Sequence, residues 1–282
     1  MSPWVLKSTG EREAFSEEKL RASLRRSGAT PETIEEIVAH IMAELKDGMQ
    51  TQAIYRHAFS ILKKRERGTA ATYSLRKAVM QLGRSGFPFE KFVAEVLKTQ
   101  GYKVKTGVII PGLCVSHEVD ILAEKDNQHI FVECKFHNEV SLKSDVKVAL
   151  YVHARFLDLQ KGHSANEGKT PKIHNGWLVT NTKATSDAIQ YSECAGLTII
   201  AWNYPHEGNL HDLIRESGIH PLTCLTTLSQ GEKRALLQNG VVSCAEVLGD
   251  GAKLRSAGVP AERIPRIKAE AAALCTAQSQ LS

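Results

Sequence analysis

The sequence predicts a multidomain protein with a mainly helical N-terminal domain, a central α/β domain built on a mixed sheet, and a small helical C-terminal domain. Helical periodicity dominates the two end regions, whereas the middle alternates strand and helix patterns. Two stretches bounded by Gly and Pro, at residues 83–88 and 205–221, separate these regions. We therefore expect domains at 1–85, 86–205 and 221–282.

In the N-terminal region the pattern predicts one short strand, at Val5-Leu6-Lys7, followed only by helices. Ser16, Thr30 and Thr51 are suited to cap three helices, and Pro31 after Thr30 fits a first helical position. A fourth helix is expected over 69–82. The inward faces of the first three helices are predicted from apolar residues spaced by three or four positions: Leu20, Leu24, Ile34, Ile37, Val38, Ile41, Leu45, Ile54, Ala58, Ile61 and Leu62.

The central region opens with a predicted helix over 89–99, and then strand and helix patterns alternate. Such alternation is typical of helices covering a mixed sheet. The elements expected after the first helix are strands at 102–105, 119–122 and 129–133, a helix near 142–160, a strand at 176–180, a helix near 184–194 and a strand at 197–202. After the second linker, residues 222–278 predict short helices separated by glycines.

Composition excludes several classes of protein. The chain is 42% hydrophobic and 24% charged, as in ordinary globular proteins. It has no apolar run long enough to cross a bilayer and no N-terminal signal-peptide pattern, so we expect a cytosolic protein. The six cysteines are scattered without a C-x-x-C pair, so we expect reduced thiols rather than structural zinc or disulfides.

The net charge of +5 is unevenly distributed along the chain. Residues 1–85 hold 15 Lys and Arg against 10 Asp and Glu, and residues 221–282 hold 7 against 5. Residues 86–220 hold 14 against 16. Basic ends can hold a polyanion, and an acidic middle fits a cluster of metal-binding carboxylates, although ordinary solvated surfaces give the same charges.

A carboxylate–lysine group lies at two predicted strands of the central region. Side chains of a strand alternate between faces, so Glu133 and Lys135 point the same way and Cys134 points oppositely. A turn at Asp126-Asn127 brings the preceding strand, which carries Asp120, alongside. Two adjacent carboxylates repel unless a cation lies between them, and oxygen ligands favour Mg²⁺ or Mn²⁺. A nearby lysine stabilises charge developing on a phosphate.

This segment resembles the PD-(D/E)xK nucleases, and specifically Mrr-type restriction endonucleases, over about residues 87–204. The motif matches as Asp120 followed by Glu133-Cys134-Lys135, and the family core is a helix, a three-stranded meander, a helix and a strand. The resemblance implies that Asp120, Glu133 and the backbone carbonyl of Cys134 bind the metal, that Lys135 acts on the phosphate or the attacking water, and that Glu90 assists. His117 and His137 flank the motif. Either could contact phosphate or transfer a proton, but we favour a structural role for both.

The N-terminal region contains Val5-Leu6-Lys7, then Glu13-x-Phe15-Ser16-x-x-Lys19, and then Thr51 at a helix start. Two lysines beside a capped helix N-terminus favour phosphate binding. This spacing resembles the ATP-cone over about residues 3–82, which implies ATP or dATP as a regulatory ligand. Lys7 and Lys19 would contact phosphates, residues 13–19, including Glu13 and Phe15, would wrap the nucleotide, and Thr51 would lie near the base. Ser8 departs from the family, which commonly has a basic residue there.

The C-terminal region somewhat resembles helix-hairpin-helix domains, which bind DNA phosphates through turn amides. Basic side chains that could add contacts are Lys233, Arg234, Arg263, Arg266 and Lys268. A protein-interaction module is an equal alternative for this tail.

Together these patterns predict a restriction-type, Mg²⁺-dependent endonuclease that acts on double-stranded DNA, is regulated by ATP or dATP and works as a homodimer. One alternative is a nucleotide-sensing DNA-binding regulator that does not cut. Another is a structure-specific repair nuclease or resolvase.

Overall fold

The computed structural model describes residues 3–7, 10–66, 69–70, 73–83, 87–165, 168–249 and 251–276. The chain divides into two compact units, the first running to Leu75 and the second from Arg76 to Gln278. The second unit therefore contains both the central α/β elements and the helical tail.

The first unit combines helices with a small three-stranded sheet. Strand β1 (Trp4–Leu6) lies in the middle, antiparallel to β2 (Arg12–Ala14) and parallel to β3 (Met49–Gln50). The prediction of a single strand followed only by helices was therefore wrong. The two missed strands are very short and polar, and their β structure comes from pairing with β1 rather than from periodicity.

Three helices form the core of this unit: α1 (Glu17–Arg26), α2 (Pro31–Glu44) and α3 (Thr51–Arg65). Ser16 and Thr30 cap α1 and α2 as predicted, because their side chains accept hydrogen bonds from the backbone N–H of Lys19 and Thr33. Thr51 does not cap α3; Gln50 holds the cap position without a side-chain hydrogen bond. Most of the predicted inward residues are buried, and Leu45 and Ile61 are half-buried against this core.

Of the fourth predicted helix, the structure describes α4 (Leu75–Met80) at the start of the second unit. Residues 71–72, within the predicted span of 69–82, lie outside the described residues.

The second unit is built on a five-stranded mixed sheet in the order β10-β8-β6-β5-β4. Strands β4, β5 and β6 form an antiparallel meander, and β8 and β10 add in parallel, as predicted for the central region. The elements in chain order are α5 (Phe87–Thr99), β4 (Lys103–Pro111), β5 (Ser116–Lys125), β6 (Gln128–Lys135), β7 (Lys143–Ser144), α6 (Val146–Ala165), β8 (Ile173–Thr180), β9 (Lys183–Ala184), α7 (Ser186–Ala195), β10 (Thr198–Ile200) and α8 (Leu210–Ser217).

The turn that joins β5 to β6 fixes the register of the site strands. Asp126 and Asn127 are its two residues, with φ of 51° and 58°, as a tight hairpin of this length requires. Helix α6 packs on the sheet through Phe156, which lies against Gly176 of β8. A Cβ at Gly176 would come within 3.0 Å of the Phe156 ring, so glycine permits this close approach.

The tail consists of α9 (Gln230–Gln238), α10 (Ala252–Ser256), α11 (Ile264–Thr276) and three short 3₁₀ helices. Ser229 and Glu232 form a reciprocal capping box at α9. Glu270 of α11 accepts hydrogen bonds from the backbone N–H groups of Thr226 and Thr227, which holds the ends of the tail together. No helix among the described residues is long and apolar enough to cross a membrane.

Candidate active site and nucleotide site

Asp120 and Glu133 lie on adjacent antiparallel strands. The last paired residues of β5 and β6 are Ile121 and Val132, so the next step of the register places Asp120 opposite Glu133. The backbone N–H of Cys134 donates a 2.7 Å hydrogen bond to Oδ2 of Asp120. One carboxylate oxygen of Asp120 is thus held by the sheet itself, which orients the carboxylate beside Glu133.

Three carboxyl groups, those of Glu90, Asp120 and Glu133, lie near the point where the pairing of β5 and β6 ends. Burial raises the pKa of Glu133 to about 7, and the negative charge of Asp120 adds to the shift. Burial likewise raises the pKa of Glu90 on α5 to about 7, with Asp120 and Glu118 contributing. The pKa of Asp120 is also raised by burial, against the opposing effect of its hydrogen bond from Cys134. The structure thus brings Glu90, Asp120 and Glu133 into one electrostatic cluster short of positive charge.

Arg155 of α6 is the cation that faces this cluster, and sequence reasoning missed it. Its guanidinium donates to Oε2 of Glu133 and to the backbone carbonyl of Glu118. It is 9% exposed and lies over the rings of Phe131 and Tyr151, at 5.2 and 5.4 Å from their centroids. The available signal was an arginine on the inward face of a predicted helix, adjacent to Phe156 and one turn after Val152.

Lys135 is the last residue of β6 and is exposed. The chain directly after it is fixed by Asn181, whose side chain accepts a 2.7 Å hydrogen bond from the N–H of His137 and donates a 2.9 Å bond to its carbonyl. The His137 ring contacts the Ser144 hydroxyl at 3.0 Å, and burial, followed by the charge of Lys135, lowers the His137 pKa. The His137 ring and backbone therefore belong to a hydrogen-bond network that anchors the end of the strand.

The donor set suits a hard divalent cation. Oxygen ligands from adjacent carboxylates are those preferred by Mg²⁺ and Mn²⁺. The pKa values of Glu90 and Glu133 are raised first by burial and then by neighbouring carboxylates, and a divalent cation would offset both effects. The other flanking histidine, His117, is held away from these carboxylates, because its ring contacts Asp158 of α6 at 2.8 Å.

Three of the predicted nucleotide-binding residues meet in the first unit. Glu13 of β2 lies between two lysines, 2.7 Å from Nζ of Lys7 and in direct contact with Nζ of Lys19. Hydrogen bonds from Lys19 and then Lys7 lower the Glu13 pKa to about 2. The two predicted phosphate-binding lysines are therefore neighbours, and an acidic side chain joins them.

Thr51 and Phe15, the other two predicted nucleotide-binding residues, have different contacts. The Thr51 hydroxyl donates to the backbone carbonyl of Leu6 at 3.4 Å, which places the start of α3 beside Lys7. Phe15 is half-buried and packs against the helical core of the unit. The structure brings Lys7, Glu13, Lys19 and Thr51 together, whereas Phe15 mainly contributes to packing.

Comparison with protein families identifies the two domains in which these residues lie. Residues 83–206 match the "Restriction endonuclease" model, which describes an Mrr catalytic domain, and residues 3–80 match the "ATP cone domain" model. An uncharacterized protein of Archaeoglobus fulgidus is 35% identical over 180 residues, which cover 64% of this chain and 97% of the archaeal protein. The chain therefore belongs to one family with this archaeal protein, and its residues 83–206 form an Mrr-type restriction endonuclease domain. It carries an ATP cone domain at its N-terminal end.

A solved structure extends the likeness beyond the restriction endonuclease domain. The crystal structure of AF1548, a protein of unknown function, is similar with a TM-score of 0.55 and 32% identity, and the match covers 68% of this chain and 99% of AF1548. Residues 220–275 match a model described as "AF1548-like, C-terminal".

The tail of the Mrr-type protein keeps several of its basic side chains for internal contacts. Lys233 was wrongly grouped with surface cations: it is 7% exposed and donates to the carbonyl of Thr223 at 2.8 Å. Arg263 pairs with Glu232, and Lys268 donates to the carbonyl of Gly249. Arg234 likewise donates to the carbonyl of Gln230, at 3.4 Å. These contacts help to fold the tail.

Proposed function

We propose that this protein is a metal-dependent DNA endonuclease that hydrolyses phosphodiester bonds of double-stranded DNA under the control of ATP or dATP. The observation that carries the proposal is the position of Asp120, Glu133 and Lys135 just beyond the last paired residues of β5 and β6, in a restriction endonuclease domain. The crowding of Glu90 into the same acidic cluster supports it.

In this proposal Asp120, Glu133 and the backbone carbonyl of Cys134 would hold Mg²⁺ or Mn²⁺, and Glu90 would assist. A bound divalent cation supplies charge neutralisation at the scissile phosphate and lowers the pKa of water. Lys135 extends from the end of β6, where its ammonium would orient the attacking water or stabilise the extra negative charge on the phosphate. Asn181 would keep Lys135 in position through its two hydrogen bonds to His137.

Arg155 would be a positioning residue. Its contact with Glu133 directs that carboxylate, while its contact with the Glu118 carbonyl ties α6 to β5 next to Asp120. An arginine held by two fixed acceptors and two aromatic rings loses little further freedom when the site forms.

The ATP cone domain would bind the triphosphate through Lys7 and Lys19. Glu13 holds these lysines together in the nucleotide-free fold, and phosphate oxygens would take its place. Thr51, at the N-terminus of α3, would lie near the base or its neighbourhood. No P-loop pattern occurs in the sequence, and in this proposal the nucleotide regulates the protein by binding rather than by being hydrolysed.

Plasmid cleavage with and without Mg²⁺ and ATP tests the nuclease. We expect nicked or linear DNA only with the metal, and we expect Asp120→Ala and Lys135→Ala to lose cleavage. A matched control is Lys172→Ala. Lys172 is an exposed lysine just before β8, whereas Lys135 pairs with Thr180 at the other end of that strand, roughly 26 Å away. Cleavage that survives in both site variants rules the assignment out.

The same experiment separates the alternatives. DNA binding without cleavage at every ATP concentration would favour the nucleotide-sensing regulator. Preference for branched over linear substrates would favour a repair nuclease or resolvase. Since two strands must be cut, we also propose a homodimer, for which sedimentation of the free and DNA-bound protein is the test.

Calorimetry with ATP and dATP tests the regulatory ligand. We expect the double variant Lys7→Ala/Lys19→Ala to lose binding. Lys63→Ala is a suitable control because Lys63 is exposed on α3 but lies twelve residues, roughly 18 Å, from Thr51. Equal affinities in all three proteins would reject this site.

A further inference from the structure

A second group of metal-binding side chains lies on the ATP cone domain. His40 and Glu44 are one helical turn apart on α2, so they share a face, and His57 projects from the neighbouring α3. The two imidazole rings are stacked with centroids 5.5 Å apart and planes inclined by 29°. The proposed nuclease and nucleotide sites use none of these residues.

The ligand atoms are spaced as the corners of a coordination polyhedron. Nε2 of His40 lies 3.2 Å from Nδ1 of His57, and the Glu44 carboxylate oxygens lie 2.9 Å from the latter and 3.6 Å from the former. In tetrahedral zinc sites with Zn–N of about 2.0–2.1 Å, neighbouring ligand atoms are about 3.3 Å apart. The observed separations lie on both sides of that value.

Hydrogen bonds among His40, Glu44 and His57 cannot satisfy all the facing lone pairs of these side chains. Nδ1 of His57 faces both Nε2 of His40 and a Glu44 oxygen, and a single hydrogen on Nδ1 can point directly at only one of them. If Nδ1 carries no hydrogen, its lone pair faces the carboxylate. A cation at the centre of the three groups would use all three lone pairs at once.

The surroundings leave room for a further ligand. A cavity of about 660 Å³ opens beside the two histidines, and its other lining residues are Glu36, Arg56, Ser60, Ile61 and Lys64. The side chains of His40, His57 and Glu44 are 36–44% exposed. Three protein ligands with an accessible position are typical of exchangeable zinc sites rather than of closed structural ones.

We propose that His40, Glu44 and His57 bind a divalent transition-metal ion, with Zn²⁺ as the favoured occupant. Two imidazoles and one carboxylate suit zinc and its neighbours in the first transition row, whereas Mg²⁺ prefers oxygen ligands only. The ion would join the last turns of α2 to α3, the two helices that provide much of the core of this domain. Water or an anion attracted by Arg56 and Lys64 would complete its coordination.

The test is Zn²⁺ titration of the full-length protein in excess Mg²⁺, which fills the carboxylate site of the second unit. Co²⁺ serves as a spectroscopic probe because its visible absorption reports tetrahedral nitrogen and oxygen ligands. We expect His40→Gln and His57→Gln each to weaken Zn²⁺ binding at least about 100-fold, since loss of even an outer-shell partner costs up to that much. The matched control is His206→Gln, an exposed histidine of the second unit.

A second readout guards against variants that lose binding by misfolding. Zn²⁺ should raise the melting temperature of the wild type and of His206→Gln but not of the two ligand variants, whose helical circular dichroism should match the wild type. Absence of Zn²⁺ binding to the wild type overturns the proposal. So does binding that persists in both ligand variants, because it would then reside in the cysteines or the carboxylate cluster.

Discussion

Metal binding at the carboxylate cluster should depend steeply on pH near neutrality. A proton on Glu133 competes with a metal ion for the same oxygens, and the pKa of Glu133 is raised to about 7. Raising the pH through this value removes the proton, so affinity for Mg²⁺ should increase. The contribution of Glu133 to the stability of the protein without metal changes with pH in the opposite direction. Since the pKa of Glu133 is higher in the folded protein than in the unfolded chain, metal-free stability decreases as pH rises from about 4.5 to about 7.

The size of the effect follows from the fraction of ionised carboxylate. With a pKa of about 7, Glu133 is about one-tenth ionised near pH 6 and about nine-tenths ionised near pH 8, so Mg²⁺ affinity should increase about tenfold. Glu90 has a similar pKa, and if it also contacts the metal the increase becomes about 100-fold. The slope of the logarithm of Mg²⁺ affinity against pH therefore gives the number of metal ligands that lose a proton.

Isothermal titration of the protein with Mg²⁺ near pH 6, 7 and 8, about one unit either side of the pKa, measures this slope. Glu90→Gln should leave a tenfold dependence, whereas Glu133→Gln should remove the part that belongs to Glu133 and weaken binding throughout. An affinity independent of pH in the wild type, or the same slope in Glu133→Gln, would refute the electrostatic reasoning. Buffers with different ionisation heats provide an independent count of released protons.

Three further outcomes follow. Lys135→Ala should reduce the cleavage rate about 10²–10³-fold while Mg²⁺ and DNA binding persist, as single-turnover kinetics and a DNA-binding assay will show. Arg155→Met should lower the free energy of unfolding by about 3 kcal/mol at high pH, and by less where protonation neutralises Glu133, in urea denaturation. Glu13→Gln should leave Lys7 and Lys19 without their shared partner and strengthen ATP binding, and calorimetry showing weaker binding would contradict the proposed displacement of Glu13 by phosphate.

Prediction from the sequence was strongest where periodicity and turn chemistry agree. The Asp126-Asn127 turn and the alternation around Glu133 placed Asp120 and Glu133 on adjoining strands, and the structure has that pairing. Prediction failed for strands that depend on pairing with a neighbouring strand. Strands β2 and β3 carry too few apolar residues to show the two-residue periodicity of a β-strand. The β7–β9 pair was missed for the same reason, since each strand has only two residues.

The charge balance of the site was beyond sequence reasoning because it depends on contacts between distant residues. Lys233 reads as a surface cation in the sequence, but tertiary packing buries it against the Thr223 carbonyl, and burial lowers its pKa. Arg155 reads as one more arginine in a helix, twenty-two residues after Glu133. Only the packing of α6 on the sheet brings the two together.

Arg155 also compensates part of the negative charge of this acidic cluster. Three partly buried carboxyl groups repel one another, and each unpaired charge in such a place costs several kcal/mol. The fold meets this cost in two ways: Arg155 neutralises Glu133 through a direct ion pair, and the raised pKa of Glu90 lets that group retain a proton near neutral pH. In the proposed mechanism both arrangements would be reversible, because a divalent cation would displace the proton and share Glu133 with the arginine. The cluster therefore has two internal sources of charge compensation, an ion pair and a retained proton, that a divalent cation would share or replace.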